Sequence, residues 1–304
     1  MIDRYGKYKL DNAVCWQYKV KEEQNDYDKR EFSISAEEIQ SIRTSDLTFD
    51  YVGKEDISGC REITKFIERY EWLAKMPVWV THRFTARYKG ILVGVVVMAT
   101  PYTIADYLKK PEYKKTEKLI ARGATNSIAP KNTASWIISN SMDWMVKNTE
   151  FRIFSAYADP EALELGTVYQ SCNFYYTGQT YGGGYVYIDP DNIDGGWFGD
   201  SYFRQRSVIK KASVRAGVPW NDSYIVENKT GSKRIINWTA MSEDIKIMVE
   251  AAVKEYQNRF TKYKTAKKHK YVYVLGKDKR ETRMLRSLFE ANNKLHDYPI
   301  VRGK

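Results

Sequence analysis

The sequence predicts an α/β fold followed by a basic, mostly helical C-terminal region. In the segment 119–178, a strand, a polar turn, an amphipathic helix, a second strand ending at Asp159-Pro160 and a short helix follow one another. The charge also changes along the chain: residues 1–203 hold 25 basic and 28 acidic side chains, whereas residues 204–304 hold 24 basic and 10 acidic ones. We therefore expect an N-terminal extension over residues 1–57 that packs on the core, an α/β core over 58–203, and a basic region over 204–304.

Hydrophobic periodicity places the individual elements. Apolar residues at helical spacing predict a helix within 59–77 that ends at Pro77. Segment 78–100 predicts two strands joined by a turn at 88–90, the second strand being a continuous β-branched run. The remaining predicted elements are strands at 119–125 and 151–158, helices at 135–147 and 165–172, edge strands at 174–177 and 185–188 around a glycine turn, a loop at 191–199, and one β-like segment at 271–275 in an otherwise helical C-terminal region.

Composition narrows the class of protein. The 304 residues are 43% hydrophobic and 29% charged, which is typical of a soluble globular protein. The longest apolar run, 91–100, is too short to span a bilayer, and the N-terminus has no apolar signal segment. Cys15, Cys60 and Cys172 show no metal-binding or disulfide spacing. We expect a cytoplasmic protein that is not bound to a membrane.

The polar turn before the predicted 135–147 helix has two interpretations. Ser127, Pro130, Asn132 and Ser135 are residues that cap helices, so the segment can be a well-capped helix and nothing more. The first turn of a helix also carries unpaired N–H groups that bind phosphate. In that interpretation, Ser127, Lys131, Asn132 and Ser135, with Arg122 nearby, bind the pyrophosphate of a cofactor.

Candidate catalytic residues lie at the ends of predicted elements. Asp159 follows a strand, where it either caps the next helix or presents a carboxylate at the edge of the sheet. Glu71 ends an apolar helix beside Trp72, and an unpaired carboxylate is costly if it is buried there. Tyr169 is either a core aromatic residue or a hydroxyl donor. His82 is either a structural residue or a substrate contact.

The C-terminal region has the composition of a polyanion-binding surface. Residues 254–286 hold 12 basic and 3 acidic side chains, interleaved with five aromatic residues. Clustered cations displace the counterions of a phosphate backbone, so a nucleic acid is one expected partner. A solvated helical surface is the alternative. The cations expected to contact phosphate are Lys267, Lys268, Lys270, Lys279 and Arg280.

Six short motifs in a fixed order resemble the Mom-type DNA-modification proteins of bacteriophages, which are divergent members of the GNAT superfamily of N-acetyltransferases. The motifs are Tyr70–Leu73, Gly90–Val95, Pro130–Asn132, Ser155–Pro160, Gly166–Phe174 and Lys268–Lys277. The resemblance implies a GNAT-type mixed, mostly antiparallel sheet flanked by helices, and acetyl-CoA or a related acyl-CoA as cofactor. It further implies modification of a nucleobase amine, typically adenine N6, that protects phage DNA from restriction in the host cytoplasm.

The resemblance also implies roles for individual residues. Arg122 and Ser135 correspond to cofactor-contacting residues of the family, and Asp159 and Tyr169 to its active-site pair. Where the family carries a His-Tyr pair, proposed to bind iron together with the Asp, this chain has Glu71 and Trp72. A tryptophan cannot bind a metal, so an iron requirement stays open. The insertion 213–266 has no counterpart that we can align.

Together, these observations predict an acyltransferase that acts on an amine of DNA. Glu71 or Asp159 would accept or orient the proton of the amine, and Tyr169 would lie near the leaving sulfur. The target would be a base flipped out of a duplex or a base of a single strand, with Trp72 as its stacking surface and His82 as a further contact. Two alternatives are an acetyltransferase for a protein or tRNA amine and an inactive scaffold that binds DNA. A homodimer is also left open.

Overall fold

The computed structural model describes residues 21–180, 184–192, 197–227 and 234–300. Two compact units account for them. The core unit contains residues 21–180 and 267–300, and the insertion unit contains 184–192, 197–227 and 234–266. The first twenty residues of the predicted N-terminal extension, with Cys15, lie outside the described residues.

A seven-stranded sheet forms the centre of the core unit, with strand order β1-β2-β3-β4-β5-β12-β6. Its strands are β1 (Leu47–Tyr51), β2 (Val80–Tyr88), β3 (Ile91–Ala99), β4 (Glu117–Thr125), β5 (Ile153–Ala158), β6 (Tyr175–Gln179) and β12 (His269–Val274). All neighbours pair antiparallel except β4 and β5, which are parallel. The predicted fold class, a mixed and mostly antiparallel sheet flanked by helices, is confirmed.

Six α-helices accompany this sheet among the described residues of the core unit. They are α1 (Lys21–Phe32), α2 (Ala36–Ser41), α3 (Ile57–Tyr70), α4 (Thr133–Asn148), α5 (Thr167–Ser171) and α8 (Lys279–Asn292). The β-branched run of β3 is buried on both faces: Val93 and Val96 pack under α4, whereas Val95 and Val97 pack under α3. A strand covered on both sides needs such a continuous apolar run.

The parallel strands β4 and β5 separate after only four paired residues. Pairing runs from Glu117 with Ile153 to Ile120 with Ala156 and ends there, whereas β4 continues to Thr125 paired only with β3. A strand that loses one neighbour presents backbone N–H and C=O groups on that side. The sheet therefore opens into a cleft between the second half of β4 and the end of β5.

The structure divides the basic C-terminal region differently from the prediction. Segment 269–274 is an internal strand of the core sheet, because both of its faces are apolar: Tyr271 packs with the main core, and Val272 and Val274 pack with Leu285 and Phe289 of α8. The basic residues are divided as well. Residues 204–266 hold 13 basic and 6 acidic side chains, and residues 267–304 hold 11 and 4.

The insertion unit is a separate mixed structure. It contains a three-stranded sheet of order β11-β7-β8, a β9–β10 hairpin, and two helices that pack together. Their bounds are β7 (Tyr185–Ile188), β8 (Trp197–Gly199), α6 (Arg206–Arg215), β9 (Ile225–Glu227), β10 (Arg234–Ile236), α7 (Glu243–Asn258) and β11 (Thr261–Lys264).

The predictions for 185–188 and 191–199 are wrong because strand pairing is not visible locally. The sequence predicts that 174–177 and 185–188 are edge strands around one turn. For 174–177 this is confirmed, because β6 is the last strand of the core sheet, whereas β7 is the central strand of the three-stranded sheet. The predicted loop 191–199 contains β8, and its residues 193–196 lie outside the described residues.

The start of α5 depends on a glycine. Gly166 caps this helix with φ +69°, and a Cβ atom there would lie 2.5 Å from the Tyr271 ring. We expect Gly166→Ala to lower the free energy of unfolding by about 2–4 kcal/mol, because backbone strain adds to overpacking. Gly90→Ala is the matched control: its φ is +85° but nothing lies within 4 Å of the new Cβ, so about 1 kcal/mol is expected. Urea unfolding of both variants tests the difference, and equal losses of stability would contradict it.

Candidate active site

A cleft of about 940 Å³ follows the opening between β4 and β5. Its floor contains β4 residues from Leu119 to Thr125, and the end of β5 and the start of α5 form one wall. The segment after α3 forms the opposite side, from Glu71 to Trp79. The cleft volume lies in the upper range for small-molecule sites. Of the fifteen residues proposed from the sequence, seven line this cleft: Glu71, Trp72, Arg122, Ser127, Asp159, Tyr169 and Lys268.

At the polar end of the cleft, Ser127 is held by a buried acid. The Asp28 carboxylate of α1, which is fully buried, accepts from the Ser127 N–H at 2.9 Å and from its hydroxyl at 2.7 Å. Tyr70 donates its hydroxyl to the same carboxylate. Both donors of Ser127 are therefore already engaged. Sequence reasoning missed Asp28, because this pairing joins residues that are far apart in the chain.

The start of α4 provides two further backbone donors at the same end. Asn132 has φ +71° and makes no side-chain cap, although the sequence places it among capping residues. The N–H groups of Ala134 and Ser135 have no backbone or side-chain partner among the described residues. Ala134 lines the cleft, and the Ser135 hydroxyl donates to the Asn132 carbonyl. Lys131 and Asn132 are exposed and do not line the cleft.

In the middle of the cleft, Glu71 pairs with Arg122. The helix that was expected to reach Pro77 ends at Tyr70, with Glu71 as its cap. The Glu71 carboxylate is 3.6 Å from Arg122 Nε and accepts from the Leu73 N–H at 2.8 Å. Arg122 also donates to the carbonyls of Lys75 and Ala121. Glu71 is buried, and burial raises its pKa to about 7 although the Arg122 charge opposes the shift.

Asp159 and Lys268 form a second ion pair in the cleft. Lys268 Nζ is 3.0 Å from Asp159 Oδ2, and the other carboxylate oxygen accepts from the Glu161 N–H. Asp159 thus caps the short helix at Pro160–Ala162 and also lines the cleft. Lys268 was expected to contact DNA phosphate. The structure places it beside Asp159, because Lys268 directly precedes the internal strand β12. Its side chain is 41% exposed, and the phosphate contact stays a prediction.

Glu164 is a cleft carboxylate that the sequence did not reveal. It follows Asp159 in the same turn, and its carboxylate lies 3.4 Å from the Asp159 N–H. Burial raises the pKa of Glu164 to about 8, and the charges of Glu71 and Asp159 add to the shift. Three carboxylates therefore share the cleft with two cations, and the pKa values of Glu71 and Glu164 lie near neutrality.

Tyr169 lies in the wall of the cleft. Its ring packs against Phe174 and Tyr271, with centroids 5.4 and 5.5 Å away. Its hydroxyl makes no hydrogen bond among the described residues, and burial raises its pKa well above the usual value. The phenol therefore stays protonated at neutral pH and can donate.

Two predicted substrate contacts occupy other surroundings. Trp72 lines the cleft but is only 9% exposed, so a base cannot stack on it without displacing its neighbours. His82 does not line the cleft. It packs against Tyr51, Trp144 and Phe151, and burial lowers its pKa to about 4. These surroundings agree with the interpretation of His82 as a structural residue.

The other predicted phosphate contacts differ in exposure. Lys270 Nζ lies 4.9 Å from the centre of the Tyr107 ring, and burial lowers the pKa of this lysine. Lys267, Lys279 and Arg280 are exposed. Lys267 precedes β12, whereas Lys279 and Arg280 follow its other end, so these three cations are divided between the two ends of one strand.

The charged groups of the cleft do not form a metal site. No group of three or more His, Cys, Asp or Glu side chains is arranged for a metal ion in the described part of the chain. The cleft carboxylates face Arg122 and Lys268 instead, and Trp72 cannot act as a ligand, so these residues do not fit an iron centre. No helix in the described ranges has the length and apolar character needed to cross a membrane.

Comparison with known proteins supports the resemblance seen in the motifs. Residues 57–193 match the Mom protein family. This match spans less than half of the chain, so the similarity to the family applies to that segment. The matched segment begins with α3, contains β2 to β6, and carries Glu71, Asp159, Glu164 and Tyr169. No curated protein matches the chain.

Solved structures of acetyltransferases also match part of the chain. An acetyltransferase of the GNAT family from Streptococcus pneumoniae is 10% identical, covers 44% of this chain and 87% of its own, and has a TM-score of 0.34. The ribosomal-protein-S5-alanine acetyltransferase from Vibrio fischeri is 11% identical, with coverage of 46% and 85% and a TM-score of 0.33. An aminoglycoside acetyltransferase in complex with coenzyme A and kanamycin is 14% identical, with coverage of 44% and 87% and a TM-score of 0.32.

The raised pKa of Glu164 predicts a pH-dependent stability. A carboxyl group whose folded pKa exceeds its unfolded value stabilises the fold at low pH, and this contribution is lost as the pH rises from about 4.5 through about 8. Glu164→Gln should therefore become more stable relative to the original protein, by about 3 kcal/mol, between pH 5 and pH 8. Urea unfolding at the two pH values measures this, with the exposed Glu112→Gln as control. A difference that does not change with pH would contradict the raised pKa of Glu164.

Proposed function

We propose that the chain is a Mom-like acyltransferase that transfers a group from an acyl-CoA-type cofactor to a nucleobase amine. The observation that carries this proposal is the cleft beside β4, in which a free strand edge, backbone donors and carboxylates with pKa values near neutrality occur together in the Mom-matched segment. The resemblance to Mom proteins further suggests the adenine N6 amine as the target and the protection of phage DNA as the biological role.

The cleft residues fit the shape and polarity of a CoA thioester. Its pantetheine arm is thin and contains two amides, which can pair with the open edge of β4 as an added strand does. Gly123 leaves room for such an approach, since the nearest atom to an added Cβ would be 3.7 Å away. The N–H groups at the start of α4 suit the pyrophosphate. When bound, the thioester supplies the activated acyl group.

The carboxylates and the tyrosine of this chain have separate roles in the proposal. Glu71, with a pKa of about 7, accepts a proton from the attacking amine, because a general base works best with a pKa near the working pH. Asp159 holds Lys268 in the cleft and orients the acceptor. Tyr169, which stays protonated, donates towards the leaving sulfur.

Nucleoside mass spectrometry of DNA from cells that express the protein tests the reaction. We expect a modified nucleoside with the original chain and a loss of about 100-fold or more with Glu71→Gln, since the amide cannot accept a proton. Glu68→Gln, an exposed residue of the same helix, is the matched control and should keep full activity. Acetylation of protein or tRNA with unmodified DNA would favour a conventional acetyltransferase, and no product of any kind would favour an inactive scaffold.

The exposed cations around β12 are the proposed phosphate contacts of the core unit. Replacing Lys267, Lys279 and Arg280 with Ala should make the slope of log K against log[salt] less negative by about 3. Each phosphate that a cation neutralises contributes about −0.9 to this slope. Binding should weaken alike for all sequences, because phosphate contacts do not discriminate between bases. Lys147→Ala, an exposed lysine in the last turn of α4, serves as the control. An unchanged slope in the triple variant would show that these three residues do not contact phosphate.

A further inference from the structure

Two large aromatic side chains are exposed at the end of the cleft opposite Ser127. Trp79 directly precedes β2 and Tyr102 follows β3, and both line the cleft. Trp79 is 56% exposed and Tyr102 is 86% exposed. Their rings are nearly parallel, with an interplanar angle of 16° and centroids 6.1 Å apart. We call this pair the aromatic rim.

The backbone holds the aromatic rim in place without burying it. The Thr100 N–H donates to the Trp79 carbonyl at 3.2 Å, which ties the two segments together where β2 begins and β3 ends. Trp79 has φ +60°, a left-handed conformation that is unfavourable for a bulky side chain. An apolar ring pair kept in solvent on a strained backbone is a feature of binding surfaces rather than of packing.

The position of the rim relates it to the proposed chemistry. Ala99 pairs with Leu119 at the start of β4, next to the rim, whereas Ser127 follows the other end of that strand. The strand runs extended for six residues from Leu119 to Thr125, about 20 Å at 3.3 Å per residue, and Ser127 lies two residues beyond its end. Glu71 and Arg122 lie between these two ends. A cofactor bound at the Ser127 end therefore leaves the rim end for the acceptor.

The charge of the segment that carries Tyr102 favours an anionic occupant. The connection between β3 and β4, which carries Tyr102, also carries four exposed lysines and only two acidic residues. The lysines are Lys109, Lys110, Lys114 and Lys115. An apolar protein partner gains nothing from this excess of cations. A nucleic acid strand supplies both aromatic bases and phosphates, which is the combination that single-strand binding surfaces recognise.

We propose that Trp79 and Tyr102 form the stacking surface for an unpaired nucleobase of the strand that enters the cleft, with the lysines of the β3–β4 connection contacting its phosphates. The proposal rests on the proposed function and specifies its acceptor side. It replaces Trp72, which is buried, as the stacking residue.

A short single-stranded oligonucleotide containing 2-aminopurine tests the proposal, because the fluorescence of this base is quenched when it stacks on an aromatic ring. The full-length protein should bind it and quench the signal. The double variant Trp79→Ala/Tyr102→Ala should bind about ten-fold or more weakly and should not quench at saturation. The double variant Trp79→Phe/Tyr102→Phe should keep most of the quenching. Ile57→Ala, an exposed apolar residue of the core unit that has no ring and does not line the cleft, should bind as the original protein does.

The outcomes separate this proposal from the proposed function. If the double alanine variant binds and quenches normally, the stacking surface is overturned, and nucleoside mass spectrometry still tests the reaction. If the original protein binds no oligonucleotide, then both the nucleic acid acceptor and the stacking role of the aromatic rim are wrong. If the alanine changes alter only the oligomeric state measured by light scattering, the rim is a contact between copies of the chain and the proposal is wrong.

Discussion

The separation of β4 from β5 is the constraint on which the rest of the site depends. A parallel pair that is broken after four residues leaves half of β4 with hydrogen-bonding groups on one side, in the interior of the core sheet. That opening sets the position of the cleft and its length. It also decides which side chains meet, because Glu71 approaches from the segment after α3, Asp159 from the end of β5, and Arg122 from β4 itself.

Burial of charge is the second constraint. Glu71, Asp159 and Glu164 share the cleft with Arg122 and Lys268, so the numbers of negative and positive groups nearly match. Burial brings the pKa values of Glu71 and Glu164 close to neutrality. Such groups can take up or release a proton at little cost, which an exposed carboxylate cannot do. These properties are the reason for which we propose acid–base roles for the side chains of the cleft.

Elements with a local signal are predictable from the sequence. The α3 stripe, the β2–β3 hairpin and the acid at the end of β5 follow from periodicity and from the turn at 88–90, and all three are in the structure. Contacts between residues that are far apart in the chain are not predictable in this way. The insertion of β12 between β5 and β6 brings Lys268 next to Asp159 in the cleft, and Asp28 reaches Ser127 from ninety-nine residues away. Neither pairing leaves a pattern within one segment, and Glu164 was missed because it lies in a turn with no periodicity.

Hydrogen–deuterium exchange of the full-length protein with and without acetyl-CoA tests the central claim most directly. If the open edge of β4 binds the acyl-CoA arm, amides in the segment 121–125 and at the start of α4 should exchange more slowly when the cofactor is added, because bound donors are protected. Amides in the β2–β3 hairpin, which are already paired, should not change. Binding of acetyl-CoA without protection of 121–125, or protection confined to another part of the chain, would show that the cleft between β4 and β5 is not the cofactor site.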